Sequence, residues 1–163
     1  MARNDFTEAA NERIAPDSDL RTKPEALQYA ALAYQCEQGE PTYLIVTSRR
    51  TGRWIFPKGE PEKDEQGWET AAREAFEEAG VIGVGLAREV GRYHSLKFRD
   101  DWVQPLHIVL YPVRIERLVS DWEEQGQRDR CMVTASEATA RLSQTDMGML
   151  CARFDRQLRR ELR

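Results

Sequence analysis

Four glutamates define the chemistry open to this chain: Glu65, Glu74, Glu77 and Glu78. The last three lie at offsets of three and four, which makes them neighbours on one side of a helix. Like charges at that spacing repel, and a divalent cation that takes carboxylate oxygens as ligands is the natural counterweight. The competing reading is a solvated acidic face in a chain with 32% charged residues. Within the same run Ala72, Ala75, Phe76 and Ala79 follow i, i+3, i+4 and i+7, a stripe expected to pack inward. Gly80 then stands where a helix end needs a left-handed residue.

Basic residues gather just ahead of the acids. Arg49, Arg50, Arg53 and Lys58 crowd one short segment, and arginine forks pair with phosphate oxygens in bidentate fashion. A solvated basic turn is the alternative. Lys97 and Arg99 precede a later apolar strand, a place for a clamp on substrate, and Arg128 and Arg130 form a further basic pair. His94 ends a strand beside that clamp and could reach a phosphate, whereas His107 begins an apolar strand and reads as structural.

Positioning these groups takes strands on both sides of the acidic helix. Residues 27–34 read as a strand, with a helix as the alternative because of their alanines, and 42–48 as a strand buried on both faces. Trp54-Ile55-Phe56 is a short strand stopped by Pro57, and the acidic helix runs from about 67 to 79. A strand is expected at 87–93 and a long one at 106–115, where Pro112 suggests an edge or a bulge. Helices follow at 136–142 and about 145–161, the second with Met147, Cys151, Phe154 and Leu158 as a core stripe. The pattern predicts an α/β fold with a mixed sheet between helices. Residues 1–24 read as a polar tail, mobile or laid over the surface, and 25–163 as a single domain.

Composition narrows the function further. A net charge of −4 and a pI near 5.4 argue against a general nucleic-acid or membrane binder. Cys36, Cys131 and Cys151 are widely spaced and odd in number, which fits reduced thiols and a cytoplasmic location. The first residues lack an apolar signal core, and no run reaches the 18 or so apolar residues of a membrane helix.

The stretch from Gly59 to Val81 resembles the Nudix box, G-x5-E-x7-R-E-U-x-E-E-x-G-U with U apolar. Gly59, Glu65, Arg73, Glu74, Glu77, Glu78 and Gly80 supply every fixed letter, and Ala75 and Val81 take apolar positions. The resemblance implies an α/β/α sandwich in which the box forms loop, helix and loop. It also implies hydrolysis of a diphosphate linked to another moiety, with Mg²⁺ as cofactor and Mn²⁺ as a substitute. By the same resemblance Glu74 and Glu78 are metal ligands, joined by the main-chain carbonyl of Lys58. Glu77 accepts the proton of the attacking water or shares a metal. Arg73 orients the glutamates, the alternative being a simple exposed helix pair. Glu65 supports the others, or less readily acts as base or ligand.

The flanks are similar to the diphosphoinositol polyphosphate phosphohydrolases, through Arg53-Trp54-Ile55 with Pro57 and Gly59, and through Asp121-Trp122-Glu123 with Gly126, Arg128 and Arg130. This implies substrate contacts from Thr47, Ser48, Arg49, Arg50, Arg53, Lys97, Arg128 and Arg130. Three departures stand out: Lys58-Gly59-Glu60 in place of a glycine-rich turn, Leu27-Gln28-Tyr29 in place of a basic cluster, and Cys131-Met132 where an aromatic is usual. Fewer cations lower the expected affinity for a heavily phosphorylated inositol, so dinucleoside polyphosphates stand level with it. Nucleoside triphosphates, nucleotide sugars and RNA 5′ ends are the alternatives, as is a module that senses a nucleotide without cleaving it. The expected partner is a phosphorylated small molecule, and the resemblance is compatible with a homodimer.

Overall fold

A computed structural model of the protein describes residues 20–163. Most of the segment read as a tail therefore lies outside the described residues. Its last part is laid on the sheet rather than loose: Arg21–Thr22 (β1) runs parallel to Trp102–Val103. The strand Ala26–Glu37 (β2) turns at Gln38 and Gly39, both at positive φ, into Glu40–Thr47 (β3). Two short strands follow, Trp54–Ile55 (β4) and Lys58–Gly59 (β5), the second paired antiparallel with β2.

The alanines of β2 favour a strand because helices cover it on both sides. Ala30, Leu32 and Tyr34 join one core cluster, while Ala31 and Ala33 face the other way and join a second. In that second cluster they meet Ala71, Ala75 and Ala79 of the helix Gly67–Ala79 (α1), small residues that let helix and sheet approach closely. Glu69 reaches back to the Gln66 N–H at 2.8 Å at the start of α1, and Gly80 closes it at φ 64°.

The inward face of α1 differs from the expected stripe. Gly67, Thr70, Ala71, Glu74, Ala75, Glu78 and Ala79 are buried, while Phe76 is 43% exposed. Two glutamates thus take core positions and an aromatic ring takes solvent.

Beyond α1 the expected strand at 87–93 is replaced by two strands, Val81–Gly85 (β6) and Gly91–Phe98 (β7). Both pair antiparallel with one side of the strand Trp102–Leu118 (β8), which runs parallel to β2 on its other side. Pro112 therefore sits in a central strand, not at an edge. It faces the gap between the end of β6 and the start of β7, where its carbonyl accepts from Leu86 and no donor is needed. Arg130–Val133 (β9) pairs with β3, and Ala135–Arg141 (α2) and Thr145–Glu161 (α3) cover the face opposite α1. Met147, Cys151 and Leu158 are buried there as the helical stripe requires, with Phe154 packed against them. The result is an α/β/α sandwich around a mixed sheet.

Candidate active site

The Glu74 carboxylate lies directly over Gly59 of β5. A Cβ on Gly59 would come within 2.6 Å of Glu74 Oε2 and closer still to its other oxygen, so only glycine admits this approach. Glu78 follows one turn later, and its Oε2 accepts from the Lys58 N–H at 3.3 Å. In an extended strand N–H and C=O of one residue point the same way. The Pro57 carbonyl accepts from the Ala31 N–H of β2, so one residue on the Lys58 N–H and carbonyl turn away from β2, to the side on which that N–H meets Glu78. Burial pushes the carboxyl of Glu78 up to about 8, against the pull of Arg128, and raises that of Glu74 as well. Two acids are thus held where retaining charge costs most.

Two arginines bracket them. Arg73 donates through Nη1 to Glu74 Oε1 at 2.8 Å and to the Glu77 oxygens at 3.2 and 3.3 Å. Its other nitrogens fork onto Glu65 at 3.0 and 3.1 Å, and Nη2 also meets the Glu60 carbonyl at 2.9 Å. This bridging web exceeds a simple exposed helix pair. On the far side Arg128, almost fully buried, donates to Glu78 Oε1 at 2.9 Å, to the Thr47 carbonyl at 3.1 Å and to Glu124 Oε2 at 2.6 Å.

Glu65 is fully engaged in this arrangement. It accepts from Arg73, from the Glu62 N–H at 3.0 Å and from the Thr70 hydroxyl at 2.7 Å. Hydrogen bonding from Arg73 draws its carboxyl down to about 2, so it holds the arginine and takes up no proton near neutrality. Glu77 remains half-open at the edge of the web, with Arg73 as its side-chain partner.

The donor set suits a hard divalent cation. Glu74, Glu78 and the Lys58 carbonyl offer only oxygens, Gly59 clears space for one carboxylate, and Glu74 Oε2 has no protein partner among the described residues. Among those residues no three acidic, thiol or imidazole groups converge into a preformed cage, since Arg73 and Arg128 each hold one carboxylate oxygen.

Lys58, Gly59, Arg73, Glu74, Glu78 and Arg128 line a cavity of about 1380 Å³, whereas Glu65 and Glu77 are not among its lining residues. Ser48, Arg49, Arg50, Arg53, Lys97 and Arg99 line it, so the basic segment ahead of the box does face the acids. Arg50 ties the turn after β3 to the β7–β8 hairpin, donating to the Phe98 carbonyl at 2.8 Å and to Asp100 at 3.2 Å. Arg49 meets Gln127 and Glu124, while Arg53 and Lys97 have no side-chain partner among the described residues.

Three further residues expected to contact substrate also bond the scaffold, and of these Arg128 lines the cavity whereas Thr47 and Arg130 are not among its lining residues. Thr47 Oγ1 accepts from the Asp129 N–H at 2.9 Å, and its carbonyl is held by Arg128. Arg128 braces Glu78. Arg130 stacks 4.1 Å over the Trp122 ring and donates to the Ala79 carbonyl at 2.8 Å, capping α1. His107 packs edge-on against His94 across β7 and β8, as a structural residue would, and His94 lines the cavity.

Several contributors were not legible as site residues. Trp122 donates to the Glu78 carbonyl at 3.2 Å, and its only signal was its place in Asp121-Trp122-Glu123. Glu124 holds Arg128 and Arg49 from an irregular loop with no periodicity to expose it. Gln28 and Tyr93, buried in the strands, line the cavity without any motif.

Residues 26–150 match the family model described as NUDIX domain. Diphosphoinositol polyphosphate phosphohydrolase 3-beta of Bos taurus is 33% identical over 95 residues, which cover 58% of this chain and 54% of that protein. Nudix hydrolase 17, mitochondrial, of Arabidopsis thaliana is 33% identical over 100 residues, covering 61% and 53%. The chain spans about half the length of these curated relatives. Among solved structures, the C. elegans Ap4A hydrolase in its binary complex aligns with a TM-score of 0.60 at 18% identity, over 81% of this chain and 96% of that one. The MutT protein of Methanosarcina mazei Go1 aligns with a TM-score of 0.60 at 23% identity, over 83% and 96%. At those identities the two structures share the fold.

Proposed function

The chain belongs to the NUDIX family, and on that premise we propose that it hydrolyses a diphosphate linkage in a phosphorylated small molecule by attack of water on phosphorus. The observation that carries this reading is the buried pair of Glu74, fitted over Gly59 and braced by Arg73, and Glu78, braced by Arg128. Glu74, Glu78 and the Lys58 carbonyl would hold divalent cations, Mg²⁺ in the cell with Mn²⁺ as a substitute. Such ions neutralise phosphate oxygens and lower the pKa of water.

The chain's own residues do the rest. Arg73 and Arg128 keep the two carboxylates in place, so little reorganisation is needed when substrate arrives. Glu77, half-open at the edge of the web, takes the proton of the attacking water. Arg53 and Lys97, whose side chains have no partner among the described residues, orient the phosphates from the cavity wall, with Arg49 and Arg50 beside them. We assign the substrate to the diphosphoinositol polyphosphates or dinucleoside polyphosphates. The names of the Bos taurus relative and of the C. elegans structure, together with the cationic wall, support that choice. A cytoplasmic location belongs to the same proposal.

The test is release of phosphate or pyrophosphate with Mg²⁺ across both substrate classes, nucleoside triphosphates and nucleotide sugars. One of the two named classes is expected to be cleaved fastest. Preference for a triphosphate or a nucleotide sugar overturns the substrate assignment, and turnover without any divalent cation overturns the mechanism.

A further inference from the structure

Three polar side chains, Lys58, Gln28 and Tyr93, line the cavity from neighbouring strands. Lys58 is opposite Ala30 across β5 and β2, Gln28 is two residues earlier on the same face of β2, and Gln28 and Tyr93 both align with Ile108 of β8. Lys58 Nζ donates to Gln28 Oε1 at 2.8 Å. Gln28 and Tyr93 are almost wholly buried, and the Tyr93 hydroxyl has no hydrogen-bond partner among the described residues. A buried polar atom left unpaired is costly, and such exceptions in a folded protein call for an explanation. Because all three side chains line the cavity, a ligand can supply the missing partner.

The free valences identify its chemistry. Gln28 has given its oxygen to Lys58, so its amide group is left with donors. Lys58 keeps two further N–H donors and a positive charge, and the Tyr93 hydroxyl can donate. Lys97 lies on the Tyr93 face of β7, four residues on, and adds a second positive charge. A sugar hydroxyl or a nucleobase could pair with the Tyr93 hydroxyl but would leave the positive charges of Lys58 and Lys97 unmatched. A phosphoryl group brings acceptors alone, with negative charge. The nearby Glu78 is already paired with Arg128.

We infer that Lys58, Gln28 and Tyr93 form a phosphoryl-binding subsite, which takes a substrate phosphate other than the one under attack. The word substrate rests on the hydrolase reading above, whereas the subsite itself is tested by binding alone. Pyrophosphate is titrated into the full chain by calorimetry, with and without Mg²⁺, for the wild type, Tyr93→Phe, Lys58→Met and the remote surface variant Arg160→Gln. Tyr93→Phe and Lys58→Met should each weaken binding about tenfold, as loss of a hydrogen bond to a charged group does, with Arg160→Gln unchanged. In turnover Tyr93→Phe should raise KM about tenfold and leave kcat in place, the mark of a contact made equally in ground and transition states.

Pyrophosphate bound equally by the wild type and both variants overturns the subsite, even if hydrolysis proceeds normally. Weaker binding in the variants of a protein that cleaves no diphosphate upholds the subsite and removes the hydrolase reading. Should Lys58→Met lower the melting midpoint, Tyr93→Phe, which deletes one oxygen, decides alone.

Discussion

Substituting Gly59 by alanine isolates the contact on which the acidic site is built. The added Cβ would lie 2.6 Å from Glu74 Oε2, while ordinary contact begins at 3.4 Å, so the carboxylate must retreat by at least 0.8 Å (3.4 − 2.6). Glu74 is buried and tied to Arg73 at 2.8 Å, which leaves little room to retreat without moving β5 or the arginine. Overpacking of this kind costs about 1–3 kcal/mol. At about 2–4 °C per kcal/mol for a chain of this size, the melting midpoint should fall by several degrees. A displacement near 1 Å in a catalytic group costs on the order of a hundredfold in rate. Gly59→Ala should therefore fold, bind Mn²⁺ more weakly by calorimetry and release phosphate about a hundredfold more slowly. Adding Glu74→Asp shortens the crowded side chain. The double variant should regain stability without regaining turnover, a non-additive pair of the kind expected for residues in contact. Wild-type rate and Mn²⁺ affinity in Gly59→Ala would refute the close-approach argument.

Three further outcomes follow from the bracing residues. Arg128→Gln strands a buried Glu78 and should destabilise the fold by roughly 3–5 kcal/mol in urea unfolding, with part of the loss recovered in Arg128→Gln/Glu78→Gln; a loss below 1 kcal/mol would contradict the pairing. Glu65 has a folded carboxyl drawn down to about 2 from an ordinary value near 4.3, so its stabilisation is present above about pH 4.3 and lost as pH falls towards 2. The urea midpoints of wild type and Glu65→Gln should thus differ at pH 7, draw together below about pH 4.3 and converge as pH approaches 2, and a constant gap would count against the assignment. Arg53→Ala should raise KM by about tenfold at unchanged stability, while Arg130→Ala should lower the melting midpoint and leave KM alone; the reverse pattern would exchange their roles.

How far the sequence disclosed this structure depends on whether a feature is local. The bounds of α1 and α3 and the left-handed Gly80 were legible because caps and periodicity act within a few residues. The meeting of acids and basic segment was legible through the box spacing. What the sequence did not disclose is which α1 face turns inward: two glutamates displace Phe76 from a buried position because the arginine from each side neutralises them. The bracing roles of Arg128 and Arg130 were hidden because their acceptors, Glu78 and Ala79, lie about fifty residues away. The strand expected at 87–93 reached only the start of β7, because the rest of β7 is mostly polar and its pairing is supplied by the long β8. Gln28 and Tyr93 carried no motif, and only burial and an unpaired hydroxyl reveal them.

The most direct test of the central claim is Mg²⁺-dependent phosphate release by the wild type, Glu77→Gln and Glu78→Gln on the best substrate of the panel. Both substitutions keep size and shape, so near-native melting midpoints should accompany turnover reduced to background, with Mn²⁺ binding weakened in Glu78→Gln. Retained turnover in both variants would contradict the placement of the chemistry on this helix.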